Sequence, residues 1–227
     1  MGRRTARVTK RRTTTLTQEE RKAHSKEVIL SASMHEFGAH GYASVTVDSI
    51  CAKHGISKGM LYHYYSGKDD LFLLCANQVF HELVLQLKRK LSLSEQDKPI
   101  DAIKHFFMIR ERFLELHPDL KRIFVDALLN TPHHLEKEIH ELRRPIRDLN
   151  RSFLKKLISG LMLREGLNTE SVVCYLESLD IIFPSLIRQI CAEKKAQDLH
   201  TMLQTVENVL EMVLFGILRT DNTIPTT

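Results

Sequence analysis

Residues 46 to 68 read TVDSICAKHGISKGMLYHYYSGK. Thr46 is a good helix N-cap, and Val47, Ile50, Cys51 and Ala52 follow with helical spacing. Gly55 suits the left-handed turn that ends a helix, and Ser57 is a second N-cap before Lys58 to Tyr64. Two short helices joined by a tight, glycine-containing turn form a helix-turn-helix pattern, whose second helix enters the major groove of DNA. Here that helix carries Lys58, Met60, Tyr62, His63 and Tyr64, with almost no side chain at Gly59. Lysine and a helix N-terminus neutralise phosphate, tyrosine hydroxyls hydrogen-bond to it, and glycine lets the backbone come close.

Working outward, Phe37, Gly41, Tyr42, Thr46, Val47, Ile50, Gly55, Ser57, Gly59, Leu61, Tyr62, Tyr64, Lys68, Leu71 and Phe72 together resemble the N-terminal domain of TetR-family transcriptional repressors. The specific part is GISKGMLYHYYSGKDDLF, residues 55 to 72. The resemblance covers residues 29 to 72; beyond them only length and helical character agree.

Charge is distributed in keeping with that pattern. Residues 1–68 hold twelve Lys/Arg against five Asp/Glu, whereas 69–227 hold 21 against 23. The basic excess therefore lies wholly in the N-terminal segment, which points to a polyanionic partner there. Residues 1–16 contain six basic residues (Arg3, Arg4, Arg7, Lys10, Arg11, Arg12) and no acidic one, too polar to bury a core. They read either as an arm along phosphates or as a solvated tail.

Thr17 to Glu20 is a capping box, opening a helix expected over 18 to 39 and stopped by Gly38 and Gly41. A fourth helix is expected from Lys68 to about Leu91, with Ala76, Phe80, Leu83 and Leu87 as its buried stripe. Further helices are expected at 99–116, 119–130 and 132 to about 164, the last kinked or split by Pro145 and ended by Gly166. Two more follow, one capped by Asn168 or Thr169 and one at about 197–219. Their seams are Val172, Leu176, Leu179, Phe183, Leu186, Ile190 and Leu199, Leu203, Val206, Leu210, Val213, Ile217. The fold class is thus all-α: an N-terminal three-helix helix-turn-helix unit at 17–67, a helical unit at 68–220 and a tail at 221–227.

Other signatures carry less. Gly55-Ile-Ser57-Lys-Gly59 fits the G-x-S-x-G nucleophile elbow, but that chemistry needs a preceding strand, and a helical segment precedes it here. His133, His134 and His140 lack the three- or four-residue separation that aligns metal ligands on a helix, so no metal site or cofactor is expected. Cys51, Cys75, Cys174 and Cys191 are far apart and read as reduced thiols of a cytoplasmic protein. No apolar run reaches the roughly 20 residues of a membrane span. No catalytic constellation emerges, so the chain is not expected to be an enzyme.

The resemblance implies a ligand-responsive repressor, a homodimer on a near-palindromic DNA operator, released by a small molecule. With the residue chemistry it assigns Thr46, Ser57, Tyr62, Tyr64 and Lys68 to phosphate, and Lys58, Gly59, Met60 and His63 to bases. It also implies pairing of the last two helices with a second subunit through Val172, Leu176, Leu179, Phe183, Leu186, Leu203, Val206, Leu210, Val213 and Ile217. An effector cavity is expected among the C-terminal helices, with Phe106, Phe107, Phe113, Phe124, Met162, Tyr175 and Phe183 as lining, although each also suits an ordinary core. With no Trp, and Tyr175 alone outside the DNA-binding segment, an apolar effector fits better than an organic cation. The rival reading is a helical protein–protein adaptor whose basic arm binds an acidic partner.

Overall fold

The computed structural model describes residues 17–91, 99–194 and 199–217, excepting the side chains of 99–100 and of some positions after 178. The basic arm (Arg3, Arg4, Arg7, Lys10, Arg11, Arg12) and residues 221–227 lie outside the described residues, as do the side chains of Leu179, Phe183 and Ile217.

The helices run in order: α1 (Gln18–Ser44), α2 (Val47–His54), α3 (Lys58–Tyr64), α4 (Lys68–Lys90), α5 (Pro99–Glu115), α6 (Pro118–Leu129), α7 (Glu136–Leu142), α8 (Arg144–Ser159), α9 (Thr169–Lys194) and α10 (Leu199–Ile217). Helix α1 starts where the sequence places it: the Thr17 hydroxyl accepts from the Glu20 amide at 3.2 Å, and the Thr17 amide donates to Glu20 at 2.7 Å. It continues past its expected end. Gly38 does not stop it, but marks where α1 meets α6: a Cβ there would lie 2.4 Å from Asp119 Cβ. The interruption comes at Gly41, with φ 76°, after which one more turn reaches Ser44.

Two other boundaries differ from expectation. The stretch 132–164 is three elements: a 3-10 turn (His133–Leu135), α7 and α8. The break falls at Arg143, which puts Pro145 in the first turn of α8, where its missing N–H is no loss. Helix α8 ends at Ser159, not at Gly166, which takes φ 83° in the following loop. Asn168 caps α9 as read, its side chain accepting from the Ser171 amide at 2.9 Å.

Helix α4 is the spine. Leu71, Phe72, Cys75, Ala76, Val79, Phe80, Leu83 and Leu87 are buried along it, and it packs on α1, α5, α6, α7 and α8. At its start, Phe72 meets Phe37 edge-on at 5.4 Å and Tyr42 at 4.8 Å, joining it to α1. Further along, Phe80 meets Phe124 of α6 at 6.2 Å. One continuous apolar core therefore runs from the helix-turn-helix into the C-terminal helices. Among the described residues no helix is long and apolar enough to cross a membrane.

Candidate nucleic-acid interface and C-terminal cavity

Capping fixes the helix-turn-helix at each joint. The Thr46 hydroxyl accepts from the Ser49 amide at 3.0 Å, and Ser49 Oγ receives the Thr46 amide at 3.1 Å. Gly55 takes φ 64°, the left-handed conformation that lets α2 end and α3 begin within three residues. Ser57 Oγ accepts from the Met60 amide at 3.1 Å. Helix α3 has only seven residues, too few to be stable alone. Leu61, fully buried in the same apolar core as Ile50 and Ile56, pins it in place.

With Leu61 inward, the rest of α3 is displayed. Thr46, Ser57, Lys58, Gly59, Tyr62 and His63 are exposed; Met60, Tyr64 and Lys68 are half-buried. A Cβ on Gly59 would meet nothing within 4 Å, so no interior contact requires a glycine there. Lys58 is held by Asp48 of α2 at 2.8 Å, a bond that raises its ammonium pKa. Lys68 lies 4.1 Å from the centre of the Tyr42 ring and 3.4 Å from the Ala43 carbonyl. Of the nine residues expected to contact DNA, six are therefore exposed and three half-buried, with two lysines already in local contacts.

A feature absent from the sequence reading ties α2 to α1. Glu36 is buried and meets Lys53 at 2.7 Å and His54 at 3.1 Å, with His35 at 3.5 Å and His40 at 3.9 Å. Burial pushes its carboxyl pKa up, but hydrogen bonds from Lys53 and His54 outweigh this and leave it lowered. His35, Glu36 and His54 present ligand atoms within 4.8 Å of one another. The Lys53 ammonium already supplies the cation that Glu36 needs, so the cluster acts as an ion-pair clasp.

The junction with the C-terminal helices is equally specific. Asp126 of α6, buried, accepts the Tyr42 amide at 2.9 Å and Asn130 Nδ2 at 3.0 Å, and lies 3.7 Å from Arg122. Asp69, at the start of α4, accepts the Tyr42 hydroxyl at 2.6 Å and contacts His134 at 2.8 Å. Burial, then that bond, lifts the Tyr42 phenol to about 12; the same bond lowers the Asp69 carboxyl.

Among the C-terminal helices lies a cavity of about 530 Å³. Phe106 and Phe107 of α5, Phe124 of α6, and Phe153 of α8 line it, with Phe106 and Phe153 stacked at 4.5 Å. The other expected lining residues are placed elsewhere. Phe113 is buried in the core away from the cavity, and Met162 and Tyr175 are exposed at 69% and 57%. Phe183 is not described at its side chain. The seams of α9 and α10 also need correcting. Val172, Leu176, Leu203 and Leu210 are buried within the chain, and Leu176, Leu203, Val206 and Leu210 line the cavity. At Val172, Leu176, Leu203 and Leu210 the four-and-three seam faces the chain's own interior. Leu186 and Val213 are half-buried, and among the described residues the large exposed apolar side chains of the two helices are Tyr175, Ile182 and Met212. The sequence reading also missed a cationic contribution to the cavity wall, from Arg110, Arg143, Arg144, Arg147 and Arg151.

Comparison with known proteins agrees with this geometry. Residues 29–75 match the family described as bacterial regulatory proteins, tetR family. The HTH-type transcriptional regulator RutR of Escherichia coli K12 is 23% identical over 195 residues, 85% of this chain and 90% of RutR. The HTH-type transcriptional repressor AcnR of Corynebacterium jeikeium is 22% identical over 191 residues, 83% of this chain and 93% of AcnR. Among solved structures, the transcriptional regulator FadR of Bacillus subtilis in complex with stearoyl-CoA superposes with a TM-score of 0.60 at 16% identity, covering 85% of this chain and 99% of that one. The capped, outward-facing α3 thus lies in a segment that matches the tetR family of bacterial regulatory proteins, and the all-helical body behind it shares its fold with solved transcriptional regulators.

Proposed function

We propose that this regulator is a repressor that binds a near-palindromic operator as a homodimer and is released by a small molecule bound in the C-terminal cavity. The observation that carries the DNA reading is the display of α3: one buried leucine holds it, and its polar and basic residues face outward. Thr46, Ser57, Tyr62, Tyr64 and Lys68 contact phosphate, while Lys58, Gly59, Met60 and His63 face bases. The half-sites are centred about one turn of DNA apart, about 34–36 Å or a small extension of it. The boundary between the DNA-binding and effector-binding units falls at 67/68, and the protein works in the cytoplasm.

Helix α6 supports a route for release. Phe124 and Leu128 line the cavity, and Asp126 on the same helix holds the Tyr42 amide. A ligand that displaces α6 therefore moves α1 and the recognition helix with it, a coupling of about 1–3 kcal/mol for such regulators. The test is a gel shift with the full chain and genomic fragments. Selection of a discrete fragment, competed poorly by random DNA, is the expected result. An adaptor with a basic arm selects none.

A further inference from the structure

The cavity wall combines two chemistries that a purely apolar ligand does not use. Four phenyl rings line it, and among the described residues five arginines and three carboxylates (Glu141, Asp148, Glu177) line it as well. The placement is systematic. Arg143, Arg147 and Arg151 recur every four residues and so share one face of α8, while Ile146, Phe153 and Leu157 of that helix are buried. Arg110, on α5, is the innermost: only 9% exposed, it stacks 4.8 Å from the Phe106 ring centre and donates through Nη2 to Asn150 Oδ1 at 3.2 Å. Part of this charge is locally compensated. Arg151 meets Glu177 at 2.8 Å, and Arg147 donates to the His140 carbonyl. A guanidinium carries five N–H donors, so one carbonyl contact leaves Arg147 ample capacity for a further acceptor. Guanidinium groups bind planar or tetrahedral oxyanions through paired hydrogen bonds, and more strongly where water is excluded.

We propose that the effector is an amphipathic organic anion. Its hydrocarbon or aryl body lies among Phe106, Phe124 and Phe153, and its terminal oxyanion, a carboxylate or phosphate, meets Arg110 and Arg147. This rests on the reading of the cavity as the effector site, and it replaces the expectation of an apolar effector with one that is apolar at one end only.

The test holds the chain constant and changes the head. Laurate, dodecyl phosphate, dodecanol and dodecyltrimethylammonium, each below its micellar concentration, are titrated into the full chain by calorimetry. At least one of the two anions binds ten-fold or more tighter than the alcohol, and the cation binds weakest; which anion is preferred separates the two head groups. Arg147→Gln, at a half-buried position away from the main core, lowers anion affinity about ten-fold and leaves the alcohol unchanged. Arg110→Gln does the same; should it fail to fold, Arg147→Gln decides. Equal affinity for anion and alcohol, preference for the cation, no binding by any probe, or an anion preference that survives Arg147→Gln overturns the proposal. DNA binding by the ligand-free protein is measured in parallel. If it stands while the anions fail, only the ligand class is wrong; if the anion binds but DNA is retained, the assignment of this cavity as the release site fails instead.

Discussion

Lys58, proposed to face bases, is held by Asp48 of α2. Its ion pair with Asp48 is exposed on both sides, so it contributes little to stability. Its larger effect is on DNA binding, where Asp48 neutralises a lysine at the front of α3 and adds its own repulsion to phosphate. Asp48→Ala is therefore expected to strengthen binding to all sequences several-fold at low salt, seen as a lower Kd in fluorescence anisotropy. Lys58→Ala shifts sequence preference more than non-specific affinity, and Lys68→Ala weakens all binding and reduces the magnitude of the salt slope by about one. Tyr42 carries a different prediction. Tyr42→Phe removes the hydroxyl that Asp69 accepts, at a cost of about 1 kcal/mol in denaturant unfolding at neutral pH. Because the folded Asp69 carboxyl is lowered, this contribution is complete above its unfolded value of about 4. It fades as pH falls through the lower folded value, so wild type and variant converge only in acid. The raised Tyr42 phenol keeps its proton, and the bond, through physiological pH.

At the scale of the element, α6 is the helix whose importance the sequence conceals. Its one buried acid, Asp126, joins α1 to a helix that also lines the cavity. Asp126→Ala leaves the Tyr42 amide and Asn130 without their acceptor and is expected to cost about 1–3 kcal/mol of stability. Its sharper signature is functional: the effector still binds, but its ability to lower DNA affinity declines. Ligand affinities measured with and without DNA read that coupling directly, since the linkage is reciprocal. The legible parts of the fold were those with local chemistry. The capping box at Thr17, the left-handed Gly55, the Ser57 cap and the stripe of α4 each follow from neighbouring residues. The 3-10 turn, the break at Arg143 and the early end of α8 depend on how α7 and α8 pack, which local pattern does not contain. The same division holds at the sites. Exposure of α3 was readable from capping and period, whereas the Glu36 clasp and the arginines of the cavity join residues whose proximity only the fold creates. Arg143, Arg147 and Arg151 did offer one signal, a four-residue repeat on a helix whose other face is apolar.

For the molecule as a whole, the proposed homodimer makes its own prediction. Val172, Leu176, Leu203 and Leu210 are buried within the chain, so in the proposed homodimer the partner would meet other residues of α9 and α10. Ile182, exposed at 54%, and Met212, exposed at 65%, are large apolar residues on those helices that are mostly open to solvent. A single exposed apolar side chain is ordinary, but at the centre of a protein interface each contributes much more. Ile182→Glu places a charge where a dimer would exclude water, at little cost to a lone subunit because the position is already solvated. The expected outcome is a shift from dimer to monomer in sedimentation at micromolar concentration, with unchanged helix content and unchanged ligand affinity. Operator affinity then falls steeply, because each half-site is bound alone and the second recognition helix is no longer held at a fixed distance from the first. Binding to random DNA, which depends on phosphate charge and not on spacing, declines far less. A variant that stays dimeric and keeps its operator affinity would remove Ile182 from the subunit contact and direct attention to Met212 and Tyr175.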